Sequence, residues 1–177
     1  MNRDMKHHAM GFMLGLTALT AVAGTAWAGG PGSPPIWSQI LPADRRFEVL
    51  DDFGGAAVLD KETGLVWEQS PDVSLYPWAT ASFTCYNKAV GGRKGWRLPA
   101  IEELMSLVDP TAPPPLSIPS GHPFVNVPLL VWSATTLAGA TGNAWSMGFS
   151  GGGMASNSKS VFTHAWCVRG GHGYDGQ

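Results

Sequence analysis

Apolar and polar positions alternate in short runs along most of the chain, and Gly, Pro or Asp interrupts them every few residues. Such runs predict short strands joined by turns. Phe47-Glu48-Val49-Leu50 and Ala56-Ala57-Val58-Leu59 are predicted strands on either side of an Asp51–Gly55 turn. Asp60–Gly64 is a second turn, with Gly64 free to take a positive φ. Leu65-Val66-Trp67-Glu68 is the return strand, with Leu65 and Trp67 on one face and Val66 and Glu68 on the other. The period then changes. Trp78, Ala81, Ser82, Cys85 and Ala89 are spaced by three and four, which predicts a helix over 78–90 ended by Gly91-Gly92. Trp96-Arg97-Leu98-Pro99 leads into a second helix with Ile101, Leu104, Met105 and Val108 on one face. Glu102 and Glu103 lie in its first turn, where the helix dipole favours acids, and Asp109-Pro110 is its expected stop.

Half of the 14 prolines fall between residues 109 and 128, so this stretch reads as a long irregular loop. Leu129–Ser133 and Ala144–Phe149 are strands, and Trp145, Met147 and Phe149 alternate in the second. Residues 150–157 read as a Gly/Ser/Asn turn. Val161-Phe162 and 165–169 close the sheet, and 171–177 is a polar tail. The architecture expected is α+β, strand-rich with two helices.

The beginning of the chain follows another logic. A weakly basic start (Arg3, Lys6), an apolar stretch from Met10 to Ala23 and the small-x-small triplet Ala26-Trp27-Ala28 together form a secretory signal peptide pattern over 1–28. Residues 29–45 are then a flexible leader and 46–170 the folded domain. The apolar run is shorter than the roughly 20 residues of a spanning helix, so no membrane span is expected in the mature chain. The expected location is the periplasm, the cell surface or the medium.

Export changes the reading of the cysteines. Cys85 and Cys167 are the chain's two, and in an oxidising compartment an isolated pair is most simply a disulfide, the alternative being two buried thiols. The bond would tie the first predicted helix to the last strand. Charge is sparse, 11 Lys and Arg against 13 Asp and Glu. Without a basic patch, a nucleic-acid partner is not expected. No His stands at metal-ligand spacing to either Cys, and no cofactor is implied.

Gly148-Phe149-Ser150-Gly151-Gly152 fits the G-x-S-x-G pattern of a hydrolase nucleophile. That chemistry needs strand, sharp turn and helix, and the residues after Ser150 are poor helix formers, so a hairpin turn is the better reading. His122, His164 and His172 are scattered without i, i+4 pairing. Arg97 is expected to form an internal bridge to a carboxylate, with Glu103 a candidate. Most of the tryptophans occupy inward positions and read as core.

Several segments together resemble a known family: Val58 to Glu68 (VLDKETGLVWE), Gly95-Trp96-Arg97-Leu98-Pro99 running into Glu103-Leu104, Val131-Trp132-Ser133-Ala134-Thr135-Thr136, Ala144-Trp145, and Trp166-Cys167-Val168-Arg169. In order and spacing they resemble the Lcl C-terminal domain family, named for a bacterial collagen-like adhesin, over roughly residues 46–170. The resemblance implies a C-type lectin-like fold related to that of the formylglycine-generating enzymes. In such folds a Cys of an early helix pairs with a Cys of the last strand. It does not settle activity, because the fold serves sugar binders, protein binders and an oxidase. The Glu-Pro-Asn, Gln-Pro-Asp and Trp-Asn-Asp sequences of calcium-dependent sugar binders are absent. So is the closely spaced copper-binding Cys pair of the oxidase.

The function expected is therefore a non-catalytic, exported binding domain for a glycan or a cell-surface protein. The alternatives are an envelope hydrolase using Ser150 and a structural subunit of a surface assembly. Binding groups on a rigid scaffold usually lie in loops. His122 and Asn126 in the proline-rich loop, and Asn157 and Lys159 near the end of the Ser150–Lys159 turn, are the expected ligand-binding residues.

Overall fold

The computed structural model describes residues 41–171. The expected signal peptide, the leader up to residue 40, Trp37 and the tail 172–177 with His172 lie outside the described residues. The domain is α+β and strand-rich. Its elements are α1 (Ala43–Arg46), β1 (Phe47–Val49), β2 (Ala57–Asp60), β3 (Leu65–Glu68), β4 (Leu75–Tyr76), α2 (Trp78–Asn87), β5 (Trp96–Arg97) and α3 (Ile101–Ser106). After a long loop come β6 (Leu130–Thr136), β7 (Asn143–Gly148), β8 (Gly153–Ser158), β9 (Thr163–His164) and β10 (Val168–Arg169).

Two five-stranded sheets form, one in the order β1-β2-β3-β10-β5 and the other β4-β9-β6-β7-β8. All pairs are antiparallel except β6 with β9, which run parallel and place Val131 beside His164. Strand alternation sends each sheet's side chains into two cores. Val58, Leu65, Trp67, Val131, Met147, Trp166 and Val168 enter one, together with Leu104 and Leu107. Ala57, Trp132, Ala144, Ala165 and Cys167 enter the other, around Cys85 and Ala81 of α2. Trp67, Trp96, Trp132 and Trp166 are fully buried.

The disulfide is present. Cys85 on α2 joins Cys167, just before β10, across a sequence separation of 82. The outward face expected of Glu68 is also buried. Glu68 Oε2 accepts the Cys167 N–H at 2.9 Å, and Oε1 receives Lys88 Nζ at 2.6 Å. Desolvation pushes this carboxyl up from its ordinary range, against the opposing effect of Lys88.

Four expectations are corrected. Helix α2 stops at Asn87 rather than at Gly91-Gly92: Lys88 turns extended, with its ammonium drawn to Glu68. Helix α3 stops at Ser106 before Asp109-Pro110: the chain tightens there to i→i+3 bonds, Leu107 N–H to the Leu104 carbonyl and Val108 N–H to the Met105 carbonyl. The Ser106 carbonyl, for which Pro110 has no N–H, accepts from Arg46 Nη2 at 2.6 Å. Met105 is then exposed, and Leu107 is the buried residue. The Gly/Ser/Asn turn over 150–157 is mostly β8, held by six consecutive register pairs with β7. Val161 and Phe162 are exposed ahead of the short β9. Ala43 and Arg46 of α1 are buried.

Candidate ligand-binding site

The loop between α3 and β6 is irregular but firmly held. Asp109 N–H donates to the Ser117 carbonyl, Ser117 N–H to the Phe149 carbonyl, and Val125 N–H to the Gln69 carbonyl. Ile118 and Phe124 bury their side chains in the core, and Phe124 packs edge-on against Trp166 with ring centroids 5.0 Å apart. Thr111 donates twice to Asp109 and holds that carboxyl below its usual range.

The four residues expected to bind ligand are not gathered together. His122 stacks obliquely on Phe124 at 5.7 Å, and its Nδ1 is buried without a partner. That burial lowers its pKa and favours the neutral ring. Asn157 lies on β8, not in a turn, and donates to Ser146 Oγ at 2.7 Å. Lys159 Nζ sits 4.0 Å from the centroid of Trp78 and donates to Thr136 Oγ1 at 2.9 Å. The Lys159 carbonyl accepts the first N–H of α2. Lys159 thus clamps the end of β8 onto α2.

Asn126 is differently placed. It is exposed at φ 54, and among the described residues it is the non-glycine with positive φ. Asparagine tolerates this left-handed conformation better than most residues. Its Nδ2 donates to Ser70 Oγ at 3.0 Å, so two bonds staple residues 125–126 to 69–70. Asn126 lines a cleft of ≈ 300 Å³ with Val73, Val127, Pro128, Leu129 and His164.

His164, scattered in the sequence, is the polar partner of Asn126 in this cleft. Its Nδ1 lies 3.2 Å from the Leu130 carbonyl. A carbonyl only accepts, so Nδ1 donates this bond and Nε2 is the ring nitrogen it leaves over. No His pairing in the sequence signals this. The parallel β6–β9 contact makes it, and that contact follows from tertiary topology.

A second cleft, of ≈ 310 Å³, is lined by Arg46, Glu62, Ser106 and Asp109 among others. Its guanidinium is committed. Arg46 donates to both Asp60 carboxylate oxygens at 2.9 and 2.8 Å, to the Ser106 carbonyl, and pairs with Glu62 at 3.0 Å. This cleft is lined by the network that fixes α1 to the β2–β3 turn. Ser150 is exposed in the turn between β7 and β8, so a strand rather than a helix follows it.

Among the described residues no helix is long and apolar enough to cross a membrane, and no group of three or more His, Cys, Asp or Glu is placed to hold a metal. The disulfide and the lack of such a helix are compatible with export.

A strand-rich α+β domain with this disulfide and this order of segments has a counterpart among known families. Residues 56–169 match the Lcl C-terminal domain. The chain belongs to the Lcl C-terminal domain family. No curated protein matches it.

Proposed function

We propose that this chain is an exported, non-catalytic binding domain of C-type lectin-like fold, recognising glycans or surface proteins in an adhesin-like role. The disulfide from α2 to the residue just before β10 and the long loop ahead of β6 support the fold. The cleft beside Asn126 carries the functional reading. It combines apolar walls with a few fixed polar groups, as small-ligand sites generally do, and its loop is pinned to a rigid scaffold. The strand–turn–strand setting of Ser150 speaks against the sharp strand–helix elbow that a serine hydrolase of this motif needs. Protein purified from the periplasm or medium should begin at Gly29 by intact mass. It should bind a glycan array or intact cell surfaces saturably, and hydrolyse no p-nitrophenyl ester. An esterase activity abolished by Ser150→Ala would overturn this reading in favour of an enzyme.

A further inference from the structure

We infer that the Asn126–His164 cleft takes a neutral saccharide unit directly, without a metal ion; this deepens the binding-domain reading and rests on it. None of the six residues lining the cleft is an acid, a lysine or an arginine. Calcium bound there would lack the carboxylates that normally supply its oxygen ligands. A sulfated or carboxylated ligand would meet no lysine or arginine there.

The polar inventory is small and fixed. Asn126 spends one amide hydrogen on Ser70 Oγ, which leaves its second amide hydrogen and its carbonyl oxygen for a ligand. His164 spends Nδ1–H on the Leu130 carbonyl, which also accepts from Thr163 Oγ1 at 3.1 Å. The imidazole is thereby oriented, with Nε2 left for a ligand. The Asn126 amide and the His164 ring nitrogen match adjacent hydroxyls, since each hydroxyl both donates and accepts.

Between these points the surface is aliphatic. Leu129 is 56% and Val73 69% exposed, which leaves them open to contact with a ligand. Pro128 is buried and limits the backbone freedom of the wall. A pyranose offers this combination of an apolar C–H face and a rim of hydroxyls. The strained φ of Asn126, locked by Ser70 and Gln69, aims the amide before the ligand arrives, so little ordering entropy is lost on binding.

The test titrates the full exported protein with neutral methyl glycosides of glucose, galactose, mannose and N-acetylglucosamine, and with methyl glucuronide, while NMR follows the Asn126 side-chain amide and the His164 ring nitrogens. At least one neutral glycoside should shift both signals saturably, unchanged by EDTA. Asn126→Gly keeps the left-handed backbone and removes the amide; it should weaken that affinity about tenfold. His164→Gln serves as the second variant, and the wild-type spectra stand even where it folds poorly. Shifts confined to another surface, binding of methyl glucuronide alone, or loss of binding in EDTA would overturn the proposal and leave the binding-domain reading intact. So would adhesion to cells or proteins with no glycoside response. Failure to bind both saccharides and surfaces would overturn both.

Discussion

Arg97 and Glu103 face each other through two parallel bonds of 2.7 Å, Nη1 to Oε2 and Nη2 to Oε1. The same guanidinium donates to the Leu98 and Gly170 carbonyls. Glu103 Oε2 also accepts the Ala100 N–H at 2.8 Å. Ala100 has no side-chain acceptor, so only this half of a capping box is made. The pair thus joins β5, the start of α3 and the chain just beyond β10. A bidentate pair of this kind combines geometry with charge. Glu103→Ala leaves a partly buried guanidinium short of two acceptors and should cost about 1–3 kcal/mol, read as a lower urea midpoint. An unchanged midpoint would show that the staple contributes nothing.

The covalent staple is the stronger one. Cys85–Cys167 closes a loop with a sequence separation of 82, and removing a native disulfide from a small exported domain typically costs about 2–5 kcal/mol. Cys85→Ser, or reduction of the intact protein, should lower stability by that amount in denaturant titrations. Non-reducing peptide mapping should join the two cysteine peptides; two free thiols in exported protein would contradict the structure.

Glu68 makes stability depend on pH in an unusual direction for an acid. Burial raises its folded pKa above the ordinary value of 4.5, so the folded state holds the proton more tightly than the unfolded chain. Its contribution is fully present below about pH 4.5 and is lost as pH rises through the raised folded value. Glu68→Gln removes this titration and keeps a side-chain acceptor for the Cys167 N–H. Between pH 4 and 8 the wild type should therefore lose more stability on going up in pH than Glu68→Gln does. Parallel pH profiles for the two proteins would rule this out.

What the sequence makes legible follows local rules, and what it hides depends on tertiary partners. The early strands, the turn at Gly64 and the two helix starts follow from period and turn chemistry, the Arg97–Glu103 bridge from charge, and the disulfide from a lone cysteine pair behind an export signal pattern. Helix ends are different. Lys88 leaves α2 for Glu68, and Ser106 gives its carbonyl to Arg46, two partners 20 and 60 residues away. Strand β8 carries Gly, Ser and Asn, poor strand formers in isolation, and pairing with β7 overrides that preference. The candidate site was half visible: Asn126 stands in the proline-rich loop, whereas His164 joins it only through parallel pairing with β6. Lys159 and Asn157 look like free polar groups in the sequence, yet their side chains bond within the fold.

The Gly91-Gly92 pair shows the same limit at a single position and supports a sharp test. In sequence the two glycines are equivalent. In the structure both have positive φ, 58° and 73°. A Cβ at Gly92 would meet nothing within 4 Å, but at Gly91 it would lie 2.6 Å from the Cα and the carbonyl oxygen of Phe53. Those are backbone atoms, and Phe53 is itself fixed by an edge-on contact with Trp96 at 6.2 Å. The left-handed backbone costs an alanine about 1–2 kcal/mol at either site, offset by about 0.4–1 kcal/mol of lost freedom in the unfolded chain. Gly92→Ala should therefore destabilise by no more than about 1–2 kcal/mol. Gly91→Ala adds a clash that forces backbone to move, worth about 1–3 kcal/mol more. Urea titrations of the two variants should place Gly91→Ala clearly below Gly92→Ala, with both below wild type. Equal losses, or a larger loss at Gly92, would mean that the 91–92 turn does not pack against Phe53.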